Sequence, residues 1–101
     1  MKKIVAVTAC PTGIAHTYMA AELLELTAKK MNVLIKVETQ GAIGIENALT
    51  DNDIDFADIV LLACDIQIDE KRFIDKKIFR TTTTEVIAHP KVVIANVLQK
   101  I

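Results

Sequence analysis

Residues 10–17 read Cys-Pro-Thr-Gly-Ile-Ala-His-Thr, and this segment, the Cys10 loop, brings a nucleophile together with several hydrogen-bond donors. An apolar, β-branched stretch precedes it and a stretch of helical periodicity follows it, so we expect the loop to connect a strand to a helix. The first N–H groups of a helix have no internal acceptors and its dipole makes that end positive, so an anion is stabilised there. The same positive end lowers the pKa of a thiol. The sequence therefore predicts a thiolate at Cys10 beside an anion-binding loop.

Other residues of the Cys10 loop suit a phosphate-binding role. Gly13 allows the backbone to approach an anion closely, and Pro11 fixes one torsion at the start of the loop. The hydroxyls of Thr12 and Thr17 are further donors, although both residues also fit ordinary helix caps. His16 is interpreted either as a phosphate contact or as a solvated first-turn residue. We predict Cys10 as the catalytic residue, and the phosphate-binding set as Pro11, Thr12, Gly13, Ile14, Ala15, His16 and Thr17.

The spacing within the loop separates two kinds of phosphoryl chemistry. The phosphate loop of tyrosine phosphatases has a cysteine, then five residues, then an Arg followed by Ser or Thr. Here the same spacing ends in His16 and Thr17, so the Arg that would clamp the transition state with two hydrogen bonds is missing. We expect a loop that accepts a phosphoryl group and passes it on without fast hydrolysis. A small cysteine-dependent phosphatase is the alternative, and a non-catalytic binding module is a third class.

Four β-like segments alternate with helical ones. Residues 3–9, 33–38, 59–64 and 77–80 are predicted as strands. Alternation in the second strand sets Leu34, Lys36 and Glu38 against Val33, Ile35 and Val37. This order predicts an α/β fold with one domain over residues 1–101. We expect an open sheet of four mainly parallel strands in the order 2-1-3-4, with helices on both faces, of the Rossmann or flavodoxin-like type.

The helical segments are less regular than the strands. Residues 14–31 have an apolar stripe at helical spacing, and residues 50–56 begin with a cap-rich sequence. A helical turn is expected around residues 72–73. Residues 81–84 cap a last helix, with Pro90 either in its first turn or at a kink between two pieces.

Ligands of parallel sheets bind at the carboxyl ends of the strands, where Gln40 and Asp65 join Cys10. Gln40 either supports the loop or satisfies nearby backbone. Asp65 is interpreted as a general acid or, preferably, as a cap for the turn that follows it. Cys64 closes an apolar strand and is expected to be a small core residue.

Composition excludes several function classes. Twelve basic and 13 acidic residues give a net charge of −1, and one Tyr and three Phe are the only aromatics, so nucleic-acid binding is not expected. The longest apolar run has six residues, far fewer than the roughly 18–20 of a membrane span. The amino-terminal sequence is expected to be a strand and not a leader. Two cysteines without a secretory signal favour free thiols over a Cys10–Cys64 disulfide. We expect no metal ion and no cofactor.

Residues 5–22, Val-Ala-Val-Thr-Ala-Cys-Pro-Thr-Gly-Ile-Ala-His-Thr-Tyr-Met-Ala-Ala-Glu, closely resemble a known active-site signature. It is that of the fructose-type enzyme IIB component of the bacterial phosphoenolpyruvate-dependent sugar phosphotransferase system. The resemblance continues through residues 37–41 (Val-Glu-Thr-Gln-Gly) and 44–47 (Gly-Ile-Glu-Asn) and covers nearly the whole chain. Residues 72–77 and 81–84 match more loosely.

The resemblance implies a phosphotransferase that works as a relay. A phosphohistidine of the IIA component passes its phosphoryl group to the cysteine that matches Cys10. The phosphocysteine then passes it to a sugar, fructose or fructose-like, held by the membrane-embedded IIC component. The loop matching residues 10–17 wraps the phosphate in that family. The resemblance also implies a cytoplasmic protein that meets the inner face of the membrane transiently.

Overall fold

The chain forms an open sheet with helices on both of its faces. The computed structural model describes residues 1–101, with strands β1 (Lys3–Ala9), β2 (Leu34–Gly41), β3 (Gly44–Glu46), β4 (Ile59–Cys64) and β5 (Ile78–Thr81). The helices are α1 (Ala15–Lys30), α2 (Asp51–Phe56), α3 (Thr83–Ala88) and α4 (Pro90–Gln99), with a 3₁₀ turn at Lys71–Phe73. None of these helices has the combination of length and apolar character that crossing a membrane requires.

The strand order is β3-β2-β1-β4-β5. The predicted order 2-1-3-4 is confirmed for the four parallel strands, which are β2, β1, β4 and β5 in the structure. The predicted strand count was wrong, because a fifth strand, β3, pairs with β2 in the antiparallel direction. This short hairpin turns between Gly41 and Gly44, where Gly44 has a φ of +105° that favours glycine.

Strand β1 divides the core into two layers, because successive side chains of a strand point to opposite faces. Ile4 and Ala6 pack in the larger layer, under α1, α3 and α4, and Val5 and Val7 pack in the smaller one, under α2 and the 3₁₀ turn. Every residue of β1 after Lys3 is buried. The strand that leads into the Cys10 loop is therefore fixed on both sides.

The helix boundaries follow the predicted caps. Thr50 caps α2 through a reciprocal pair of hydrogen bonds with Asp53. The Thr82 hydroxyl accepts the Glu85 N–H at the start of α3. Pro90 begins a separate helix, so of the two arrangements predicted for the carboxyl end, the two-piece helix is the correct one.

The predicted alternation of β2 is confirmed, because Val37 packs in the larger core layer and Glu38 lies on the opposite face, but the Glu38 side chain is fully buried there. The Arg72 guanidinium donates to both carboxylate oxygens, with Nη1 2.9 Å from Oε1. Gln40 Nε2 donates to Oε2 at 2.9 Å, and the Leu49 N–H donates to Oε1 at 2.9 Å. Arg72 also lies over the Phe73 ring, 4.8 Å from its centroid. Glu38 thus ties β2 to the 3₁₀ turn and to the segment before α2.

Candidate functional site

The sulfur of Cys10 lies directly after β1, on the face of the sheet that carries α1. The residue is only 3% exposed. The Thr17 hydroxyl, in the first turn of α1, donates to Sγ at 3.0 Å. The Thr12 hydroxyl lies 3.6 Å from Sγ, and the Ile14 carbonyl oxygen lies 3.9 Å away, where it accepts from the thiol when the sulfur is protonated. The nucleophile is therefore held inside its own loop by two hydroxyl groups.

Opposing effects act on the pKa of Cys10. Burial alone would raise the pKa, because it disfavours the charged thiolate. Hydrogen bonds from the Thr17 and Thr12 hydroxyls, and from the N–H groups of Thr17 and Gly13, outweigh burial and lower the pKa from 9.0 to about 6. Cys10 is thus mainly a thiolate at neutral pH, as the sequence predicts.

Four main-chain N–H groups on exposed residues of the Cys10 loop make no hydrogen bond within the protein. They belong to Thr12, Ile14, Ala15 and His16, and all four residues are exposed. The N–H groups of Gly13 and Thr17 are engaged, with the Cys10 carbonyl at 3.0 Å and the Ile14 carbonyl at 2.8 Å. The open donors lie in the loop that follows the thiolate, at the amino end of a 16-residue helix. This arrangement can bind an anion with two or three charged oxygens.

The hairpin between β2 and β3 backs the loop at Gly13. The Ala42 N–H donates to the Gly13 carbonyl at 2.7 Å. Gly13 has a φ of +68°, and a Cβ there would lie 2.4 Å from the Ala42 nitrogen. Only glycine therefore allows both the left-handed backbone and this close contact. The loop is built against the hairpin and not only against α1.

Comparison with known proteins decides the family. A sequence profile described as "PTS system, Lactose/Cellobiose specific IIB subunit" matches residues 5–96. The "PTS system fructose-like EIIB component 2" of Escherichia coli (strain K12) is 49% identical over 98 residues, which are 96% of this chain and 92% of that protein. The chain belongs to the fructose-type IIB family of the bacterial phosphotransferase system. A domain of the fructose-specific IIABC component of Borrelia burgdorferi superposes on this IIB chain with a TM-score of 0.92, at 51% identity, covering 97% and 94% of the two chains.

Some relatives of this IIB chain are much longer. The "PTS system fructose-specific EIIB'BC component" of Escherichia coli (strain K12) is 51% identical over 82 residues, which are 81% of this chain. The matched segment is only 15% of that relative. Other fructose-specific EIIB'BC components match over 15% and 14% of their lengths. The IIB fold therefore occurs both as a short protein and as a small part of longer ones.

The structure separates the predicted loop residues of this IIB chain into different roles. Thr17 and Thr12 contact the sulfur, whereas Ile14, Ala15 and His16 contribute open N–H groups. The His16 side chain is exposed and makes no hydrogen bond within the protein. Pro11 has no N–H to donate, so its part is limited to the shape of the loop.

Gln40 and Asp65, predicted as possible supports of the loop, make no hydrogen bond to it. The Gln40 side chain lies on the same face of β2 as Glu38 and donates to its carboxylate. The Asp65 carboxylate accepts the Thr83 N–H at 2.9 Å and also the Thr83 hydroxyl. Asp65 is thus a cap, as preferred from the sequence, but it caps α3 and not the turn that follows it.

Cys64 is separate from the site of this IIB chain. Its thiol packs in the smaller core layer, on the opposite face of the sheet from Cys10, and donates to the Val7 carbonyl at 3.5 Å. Burial and the nearby charges of Asp65, Glu70 and Glu38 raise the pKa of Cys64 to about 12. Both cysteines are free, so the disulfide alternative is not present.

Two contributions to the site were missed in the sequence. The Ala42 contact depends on the hairpin, which was not predicted, and alanine carries no polar signal of its own. Thr8 donates its hydroxyl to the Thr17 carbonyl at 2.9 Å, inside the core. The sequence does mark Thr8 as unusual, because it is the only polar residue among the six that follow Lys3 in β1.

Proposed function

We propose that this IIB chain is a phosphoryl carrier that accepts phosphate from a phosphohistidine of a IIA component onto Cys10. The phosphocysteine then passes the group to a sugar held by a membrane IIC component. The observation that carries the proposal is the thiolate at Cys10, which two threonine hydroxyls stabilise next to four open N–H groups. The fructose-type relatives support fructose or a fructose-like compound as the sugar.

The chemistry requires sulfur to be both nucleophile and leaving group. In the first step the Cys10 thiolate attacks phosphorus, the S–P bond forms, and the N–P bond breaks with its electron pair on the histidine nitrogen. In the second step a sugar hydroxyl oxygen attacks phosphorus, the S–P bond breaks with its electron pair on sulfur, and the hydroxyl proton leaves to solvent or a base. Because the Thr17 hydroxyl stabilises the thiolate, it favours the sulfur in both roles.

The Cys10 loop is suited to hold the phosphoryl group between these steps. The N–H groups of Thr12, Ile14, Ala15 and His16 are free to bind its oxygens. No Arg lies in the loop, and Asp65 is engaged by Thr83, so neither a guanidinium clamp nor a general acid is supplied for rapid hydrolysis. These features support a carrier over a phosphatase.

The remaining parts of the proposal rest on the relatives. We assign residues 1–101 to one IIB domain that works in the cytoplasm and meets the inner face of the membrane when it meets IIC. Partial coverage of the EIIB'BC proteins supports a membrane partner, since their names join a B and a C component. The chain itself needs only transient contact with each partner.

Phosphorylation in vitro tests the proposal. The purified chain is incubated with phosphoenolpyruvate, the general relay proteins and a fructose-type IIA protein, and its mass is measured. We expect the mass of one added phosphate, present only when IIA is included. A chain that stays unmodified while IIA is phosphorylated, or that steadily hydrolyses an aryl phosphate, would contradict the carrier function.

A further inference from the structure

Thr8 is a polar residue in a strand that is otherwise apolar after Lys3. It is fully buried, and its neighbours Ile4 and Ala6 on the same face contribute only apolar surface to the core. A buried hydroxyl without a partner loses its hydrogen bond to water and gains nothing in return, so such a residue needs a hydrogen bond. The Thr8 hydroxyl donates to the Thr17 carbonyl oxygen at 2.9 Å.

Thr17 is also the residue that contacts the nucleophile. Its carbonyl accepts from Thr8, and its hydroxyl donates to Cys10 Sγ at 3.0 Å. A threonine inside a helix has another acceptor within reach, the carbonyl of the preceding turn. The direction of the Thr17 hydroxyl therefore depends on how the first turn of α1 is seated on β1.

We propose that Thr8 is a positioning residue for the nucleophile: its buried hydroxyl fixes the first turn of α1 on β1 and thereby directs the Thr17 hydroxyl at Cys10 Sγ. Thr8 does not touch the sulfur and acts only through Thr17. The path is short and buried, because Thr8 and Cys10 lie two residues apart in the chain and both are hydrogen-bonded to Thr17. The role of Thr8 in phosphoryl transfer rests on the proposed function, but its effect on Cys10 and the test of that effect do not.

The test is the pH dependence of Cys10 alkylation by iodoacetamide, measured with Thr8→Val in a Cys64→Ser background. Valine keeps the shape of threonine and removes only the hydroxyl. We expect the midpoint of the alkylation curve to move upward and the rate at pH 6 to fall about two- to fivefold, the change that a shift of half to one pH unit produces. Thr8→Ser retains the donor and is expected to restore the original midpoint.

A double-mutant comparison separates positioning from a general loss of stability. Thr17→Val alone is expected to raise the midpoint further than Thr8→Val. The double variant with Thr8→Val and Thr17→Val is expected to have the same midpoint as Thr17→Val alone, because the path through Thr17 is already broken. An additive shift would contradict the inference.

Two controls complete the experiment. Thr39→Val removes the hydroxyl of a buried residue that pairs with Thr8 across β1 and β2 and makes no side-chain hydrogen bond, and it should leave the midpoint unchanged. Thr8→Ala removes the hydroxyl without a branched side chain, in case Thr8→Val fails to fold. A wild-type midpoint in either Thr8→Val or Thr8→Ala would overturn the inference. Alkylation needs no phosphate or partner, so its outcome is independent of the carrier function.

Discussion

A Cys10→Ser variant is expected to take up no phosphate from a phosphorylated IIA protein. The substitution replaces a thiolate, which exists at neutral pH because the pKa of Cys10 is about 6, with a hydroxyl that stays protonated. Loss of a covalent nucleophile lowers rates by at least about a thousandfold. The measurement is the initial rate of phosphate transfer to the chain at pH 7, followed by intact mass.

Cys64→Ser is the matched control for this prediction. It makes the same chemical change on the opposite face of the sheet, where the thiol bonds only the Val7 carbonyl. Its transfer rate is expected to stay within about twofold of the wild type, since surrounding packing changes by one atom. Equal labelling of Cys10→Ser and wild type would show that another residue accepts the phosphate.

An Arg72→Met variant is expected to lose about 3 kcal/mol of its free energy of unfolding at pH 7, the low end of the range for leaving a buried charge without its partner, because Glu38 is fully buried and Arg72 is partly exposed. Burial alone would raise the pKa of Glu38, but the hydrogen bonds from Arg72, Gln40 and the Leu49 N–H outweigh it and hold the pKa below its usual value. Without Arg72, the carboxylate stays buried with only two neutral donors. Urea unfolding measures the loss.

The chain provides a matched control in the ion pair between Arg80 and Glu70. This pair lies in solvent, with the Arg80 side chain 62% exposed, so Arg80→Met is expected to cost less than about 1 kcal/mol. The pair of Glu38 and Arg72 stabilises the fold above the unfolded pKa of Glu, about 4.3, and this contribution fades as the pH falls through the lower folded value. The difference in free energy of unfolding between the wild type and Arg72→Met should therefore become smaller below pH 4. Equal losses for both variants would contradict the prediction.

The parallel part of the fold follows directly from local sequence patterns. Short apolar runs such as residues 59–64 are typical of strands buried on both faces, and they alternate with helical segments. The edge strand β3 could not be predicted, because its three residues are all exposed and carry no alternation. It exists through pairing with β2, which is a tertiary contact.

The burial of Glu38 shows a second limit. Alternation on β2 assigns the side chain to the correct face, but whether that face meets water depends on the distant Arg72. Charged residues are rarely buried unless paired, so a single sequence gives no reason to expect it. The pairing spans 34 positions of the chain.

The candidate site was more predictable than the fold around it. Cys10, the loop that follows it and the lowered pKa all depend on one local junction of strand and helix. The separate roles within the loop were not predictable, because they depend on which N–H groups remain open after Gly13 and Thr17 bond nearby carbonyls. The support from Thr8 and Ala42 depends on contacts between elements.

The pH profile of Cys10 alkylation in a Cys64→Ser background tests the thiolate most directly. The lowered pKa means that the reactive form is present above about pH 6, so the rate constant should rise through a midpoint near that value and become constant by pH 8. A rate constant that is small at pH 7 and rises with a midpoint at about 8.5 or above, the range of an ordinary thiol, would contradict the account.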